Sequence, residues 1–246
     1  MAGKRSGPKP LRFRGTPGAL EALAPAALDL PMEGTLVLET GGGRAGAALA
    51  PVTLQSEPAG EEAMWLRFDL PESTPPGTYE GRVQVGRKRY PVTIEVAPVT
   101  NLDVSPSQLL LSVAPGGQKT IELTVVNNGN VPVAIEPVSA FNLLEPNAFE
   151  EAVHSALRES GGGEQRINRF ADELADRHGG LVRVAVKDSG PVEPGKAREI
   201  RAVFRFGEDL RPGATYTSTW AIGNLNIWVG VRVESEPRKR RRRETA

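Results

Sequence analysis

Apolar side chains fall on every second position through most of this chain. Met64, Leu66, Phe68 and Leu70 alternate with Trp65, Arg67 and Asp69. Tyr79, Gly81, Val83 and Val85 alternate with Glu80, Arg82 and Gln84, and Ile121, Leu123 and Val125 with Glu122 and Thr124. A period of two places one residue set on one face of a pleated strand and predicts strands with one face buried. The same reading predicts strands at residues 35–39, 49–54, 89–96, 109–113, 131–135, 181–186, 198–206, 215–222 and 225–233. In the last of these, Leu225, Ile227, Val229, Val231 and Val233 share one face. Turn residues bound the segments: Pro75, Pro76 and Gly77, then Gly86 and Arg87, then Pro115, Gly116 and Gly117, then Asn127 to Asn130. Gly supplies left-handed backbone and Pro removes a ladder donor, so each cluster ends one strand and starts another.

The period changes at Asn147. Phe149, Ala152, Val153, Ala156 and Leu157 lie at helical spacing. Asn147 stands as a candidate N-cap, with Glu150 three residues on in a capping-box-like arrangement. Gly161 to Gly163 stop this helix, and a second is predicted over residues 164–178 with Ile167, Phe170, Ala171 and Leu174 as its stripe, ended by Gly179 and Gly180. The predicted fold is therefore mainly β: two tandem immunoglobulin-like antiparallel sandwiches, the second with an inserted helical hairpin. Residues 1–31, rich in Pro, Gly and Ala and basic at Lys4, Arg5, Lys9, Arg12 and Arg14, read as an arm with one short strand candidate at 11–14. The first sandwich is assigned to 32–98, the second to 99–235 with its insert at 147–180, and a basic tail to 236–246.

Composition narrows the chemistry. With 30 Lys and Arg against 30 Asp and Glu, no net field favours nucleic acid or an anionic membrane, so charge acts locally. The absence of cysteine removes disulfides, thiolate metal sites and a Cys nucleophile. No stretch approaches the roughly 20 apolar residues that span a bilayer. The basic start is followed by Pro, Glu21 and Asp29 rather than by an uninterrupted apolar run, which predicts a cytoplasmic protein.

Between Val104 and Val133 the chain reads Val104-Ser-Pro-Ser-Gln, then Val113-Ala-Pro-Gly-Gly-Gln, then Leu123-Thr-Val-Val-Asn-Asn-Gly-Asn-Val-Pro-Val. This passage resembles the opening of bacterial Ig-like modules of the NEW3 and ASH-like kind, and residues 70–96 resemble the last two strands of Ig-like repeat modules. The resemblance covers about a third of the chain and consists of turn chemistry. It implies accessory β-sandwiches joined to larger proteins or used as envelope and assembly modules, and it implies no site residues.

Catalytic patterns are weak or missing. Gly41-Gly-Gly-Arg-Ala-Gly fits G-x-G-x-x-G, but Pro51 cuts the following segment before a helix can receive a pyrophosphate, so a hairpin loop is the better reading. His154 and His178, one on each predicted helix, have neither H-E-x-x-H spacing nor further ligands nearby in sequence, and solvated helix histidines are expected. The G-x-S-x-G elbow and the P-loop pattern are absent. No catalytic residue, metal or cofactor is assigned.

Three features remain as candidates for binding. The helical stripe of Phe149, Val153, Leu157, Ile167, Phe170 and Leu174 either lies on the sandwich or meets a protein partner or a second copy. Trp65 and Trp228, each opposite its strand's apolar face, are candidate exposed platforms for a carbohydrate. The cations Arg238, Lys239, Arg240, Arg241, Arg242 and Arg243 form an electrostatic tail able to touch nucleic acid, lipid or an acidic partner without sequence specificity, or else a solvated terminus. The expected function is that of a non-catalytic scaffold or accessory subunit assembling with other proteins. The alternative is a carbohydrate-binding or adhesion module of the cell envelope.

Overall fold

Strand alternation becomes burial once each strand finds partners on both sides. The computed structural model describes residues 10–25, 33–39, 52–53, 55–59, 63–85 and 88–235. They divide into two units, the first running to Asn101 and taking in Asn127–Pro132 and Glu193–Lys196, the second holding the rest.

The first unit contains β1 (Leu11–Thr16), β2 (Ala19–Pro25), β3 (Glu33–Glu39), β4 (Val52–Thr53), β5 (Gln55–Pro58), β6 (Ala63–Phe68), β7 (Gly77–Val85) and β8 (Lys88–Val96). They pair in the order β4-β3-β7-β8-β1-β2-β6-β5. The predicted faces point inward: Leu66, Phe68, Leu70, Val83, Val92, Ile94 and Val96 are buried, and Phe13 meets Phe68 edge to face at 4.7 Å. The arm reading of residues 1–31 needs correction over residues 11–25. β1 and β2 form an antiparallel hairpin in mid-sheet, and Leu11, Phe13, Leu20, Ala22 and Ala24 complete the core. The small side chains of β2 still alternate, and its neighbour β6 supplies the bulk that Ala22 and Ala24 lack.

Two buried asparagines tie the remaining segments into this unit. Asn130 donates through Nδ2 to the carbonyls of Ala97 at 2.9 Å and Thr74 at 3.0 Å, and its Oδ1 accepts from the Val99 N–H at 2.6 Å. Asn127 donates to the Val131 carbonyl at 2.8 Å and accepts from the Gly129 N–H at 2.9 Å. The run of Asn127 to Asn130, expected to be a plain turn, is thus a buried hydrogen-bonded loop.

The second unit contains β9 (Leu102–Ser105), β10 (Gln108–Val113), β11 (Gln118–Asn127), β12 (Val133–Ile135), β13 (Val138–Leu144), α1 (Ala148–Arg158), α2 (Gly163–Asp176), β14 (His178–Lys187), β15 (Gly190–Val192), β16 (Ala197–Arg205), β17 (Thr215–Ile222) and β18 (Leu225–Val233). Eight strands pair in the order β10-β18-β17-β13-β14-β16-β11-β9, and β12 pairs with β15 apart from them. Ile227, Val229, Val231 and Val233 are buried as their alternation requires, around Trp220, Tyr216 and Phe204. The architecture is mainly β, with tandem sandwiches and a helical hairpin in the second. Most of the pairing is antiparallel, and an early strand of each unit lies parallel to its last: β1 to β8, and β10 to β18. Strands so far apart in sequence need no tight turn, so parallel pairing is open to them.

Asn130→Ala leaves three part-buried backbone groups without their partner. The expected cost is about 2–3 kcal/mol of unfolding free energy, read from the urea transition of the first unit. A loss under about 0.5 kcal/mol would show that water replaces the amide.

Candidate partner-binding site

The helical hairpin joins β13 to β14, which are antiparallel neighbours in the sheet. Their register runs from Val138↔Ala185 to Leu144↔His178, so the ladder holds both ends of the insertion together. Closing a longer loop across ends already fixed adds little entropy, which lets a two-helix element replace a turn.

Arg177, just past α2, fixes the base. Its guanidinium reaches Glu151 at 2.6 Å, Glu145 at 3.5 Å and Glu173 at 3.6 Å. Arg211 pairs with Glu145 as well, and its backbone N–H donates to the Tyr216 hydroxyl at 3.3 Å. Tyr216 and Glu145 together push the Arg211 guanidinium pKa up, so the cation persists at any working pH. Farther along, Arg169 donates to Ser155 Oγ at 2.8 Å and pairs with Glu173 at 2.5 Å.

Two local expectations are corrected here. Asn147 does not cap α1 through its side chain: its backbone is left-handed, with φ 60°, whereas an N-cap needs the extended region. The side-chain capping bond belongs to α2, where the Gly162 N–H donates to Gln165 Oε1 at 2.9 Å. In addition, α2 ends at Asp176 and Gly179 already belongs to β14. A Cβ at Gly179 would sit 2.6 Å from the Tyr216 ring and 3.0 Å from Leu143 Cβ, so close packing explains this glycine.

All six stripe residues lie on this hairpin. Phe149 and Phe170 meet edge to face at 5.6 Å, and Val153, Phe170 and Leu174 are half-buried. Phe149, Leu157 and Ile167 remain 59%, 65% and 68% exposed. Only Ala148 and Ala152 of α1 are buried, and α2 has no buried residue. By spacing, Glu150 lies one turn from Val153 and Glu164 one turn from Ile167, while Arg166 lies one turn from Phe170, so charges of both signs flank the apolar stripe. Arg158, Arg169 and Arg177 line a polar groove with Glu151 and Glu173, and Arg166 donates to the Glu159 carbonyl at 3.2 Å.

Trp65 is exposed on β6, across from Leu23 of β2. Trp228 is exposed on β18. His154 faces the polar groove, and His178 accepts from the Gly180 N–H through Nδ1 at 3.1 Å. Among the described residues, no group of three His, Cys, Asp or Glu could hold a metal. No described helix is long and apolar enough to cross a membrane. The glycine loop at 41–46 and the tail cations Arg238 to Arg243 lie outside the described residues. Sequence reasoning missed the base network of Glu145, Arg177 and Arg211, whose only signal was scattered charge at the ends of the insert.

No family model matches the chain, and no curated protein matches it. Solved structures do. Domains 4 and 5 of the S-layer protein SbsC align at 21% identity and a TM-score of 0.29, over 65% of this chain and 66% of that one, just under two thirds. A protein of unknown function from Porphyromonas gingivalis W83 aligns at 12% identity and a TM-score of 0.28, over 93% of this chain and 97% of its own. Titin A168169 aligns at 9% identity and a TM-score of 0.31, over 92% and 97%. Likeness at this level assigns no function.

Gly179→Ala forces a backbone-borne methyl against Tyr216. Calorimetry is expected to show the second unit destabilised by about 1–3 kcal/mol. An unchanged transition would mean that the ring moves aside freely.

Proposed function

We propose that this chain is a non-catalytic assembly module, a scaffold or accessory subunit, whose helical hairpin binds a protein partner. One observation carries the reading: Phe149, Leu157 and Ile167 stay in water on an element pinned at its base. A helix pair that served only the fold would turn its stripe to the core, and contiguous exposed apolar surface marks interaction sites. Glu150, Glu164 and Arg166 beside the stripe favour a partner that offers an apolar ridge with edges of mixed charge. The sheet of the second unit acts as its mount, and a cytoplasmic setting is part of the proposal.

A second reading rests on Trp228. Its Cη2 and Cζ3 atoms lie 2.6 and 3.0 Å from where a Gly230 Cβ would be, and a Leu110 methyl lies 3.0 Å from the same point. The glycine thus lets an exposed indole lie over the strand beside an exposed leucine, a surface able to stack on a sugar ring.

A leucine–lysine amphipathic helix, fluorescently labelled, serves as probe for the first reading. Phe149→Glu with Ile167→Glu is expected to weaken its binding at least about tenfold, with the β circular dichroism unchanged. Equal binding by parent and variant would end that reading, while a concentration-dependent mass abolished by the same substitutions would put a second copy on the face. For the second reading, affinity electrophoresis in polysaccharide gels is expected to show retardation that Trp228→Ala removes. A parent that runs unretarded ends it.

A further inference from the structure

On the outer face of the second unit, β14 and β16 set Arg183 directly opposite Arg205. Directly opposed residues of an antiparallel pair hold their Cβ atoms about 5 Å apart, and like charges placed so are destabilising. Among the described residues neither arginine takes part in an ion pair or side-chain hydrogen bond, whereas Arg201, two rows along, reaches Glu122 at 3.4 Å. The row between is apolar: Val138, Ala185 and Val203 lie side by side across β13, β14 and β16. Val138 is 69% exposed, and Leu181, one row to the other side of Arg183, is 47% exposed. Both arginines, Val138 and Leu181 line one groove of about 510 Å³, and Asp209 is its one carboxylate.

We infer that this groove binds an acidic, extended peptide segment of a partner protein, with one carboxylate shared between Arg183 and Arg205. A carboxylate accepts from two guanidinium groups at once, and its charge offsets the repulsion between them. Adjacent rows of a strand face are about 7 Å apart, which equals the spacing of alternate residues in an extended chain. A Glu side chain over the arginine row therefore places the residue two positions away over Val138, Ala185 and Val203, where an apolar side chain removes exposed surface from water. Lys187, opposite Arg201 in the row after that, offers a place for a second carboxylate. This surface is distinct from the hairpin face and stands or falls without it.

The probe is a labelled Glu-Thr-Val-Thr-Glu peptide, acetylated and amidated, titrated against the full chain in fluorescence anisotropy at low salt. The parent is expected to bind, Arg183→Ala and Arg205→Ala each to weaken binding about fivefold, and the Gln-Thr-Val-Thr-Gln peptide to bind at least about fivefold more weakly. Both variants are expected to melt at or above the parent temperature, because removing one of two opposed cations relieves repulsion, so lost binding is separable from lost folding. Equal affinity for the Glu and Gln peptides, or affinity unmoved by either substitution, overturns the inference. So does inorganic phosphate displacing the peptide at equal or lower concentration, which would make this a site for small anions.

Discussion

Taking alternate side chains out of water while keeping every strand hydrogen-bonded is the constraint on which this molecule is built. A single strand with one apolar face cannot meet both demands, because burial removes water from its amides unless another strand replaces it. Among the described residues, eight strands in the main sheet of each unit meet them together, and one strand on the N-terminal side of each set lies parallel to the last. The buried face of β18, from Ile227 to Val233, shows the result: its alternate residues are almost wholly removed from solvent between β10 and β17.

The hairpin departs from that economy. Because β13 and β14 are zipped together up to Leu144 and His178, the insertion between them inherits a closed base and need not contribute to the core. Its own cohesion comes from the contact of the two phenylalanines, from two small buried alanines and from arginines bridging carboxylates at the base. Such an element can present apolar surface outward without endangering the sheet beneath it.

Most of the strands were legible because alternation is local. Residues 19–25 were not, and β1 was read only as a short strand within an arm, since β2 buries Ala22 and Ala24, which are too small to signal a buried face. The burial of Asn127 and Asn130 was hidden for a different reason: the carbonyls of Thr74 and Ala97 that satisfy Asn130 lie dozens of residues away in sequence. The same limit applies to Gly179, which read as a helix stop and proves to be a packing contact with Tyr216. The helix stripe was visible in its spacing, yet whether it lay against the sheet depended on how the base was anchored. Arg183 and Arg205 were ordinary strand charges until the register set them face to face.

The central claim is that no described residue covers the outer side of the hairpin's apolar face. Hydroxyl-radical footprinting of the dilute protein measures this residue by residue. The account predicts that Phe149, Leu157 and Ile167 are labelled heavily while Phe204 and Trp220, in the core, are spared. Protection of the three hairpin residues to the level of Phe204 at the lowest workable concentration would contradict it.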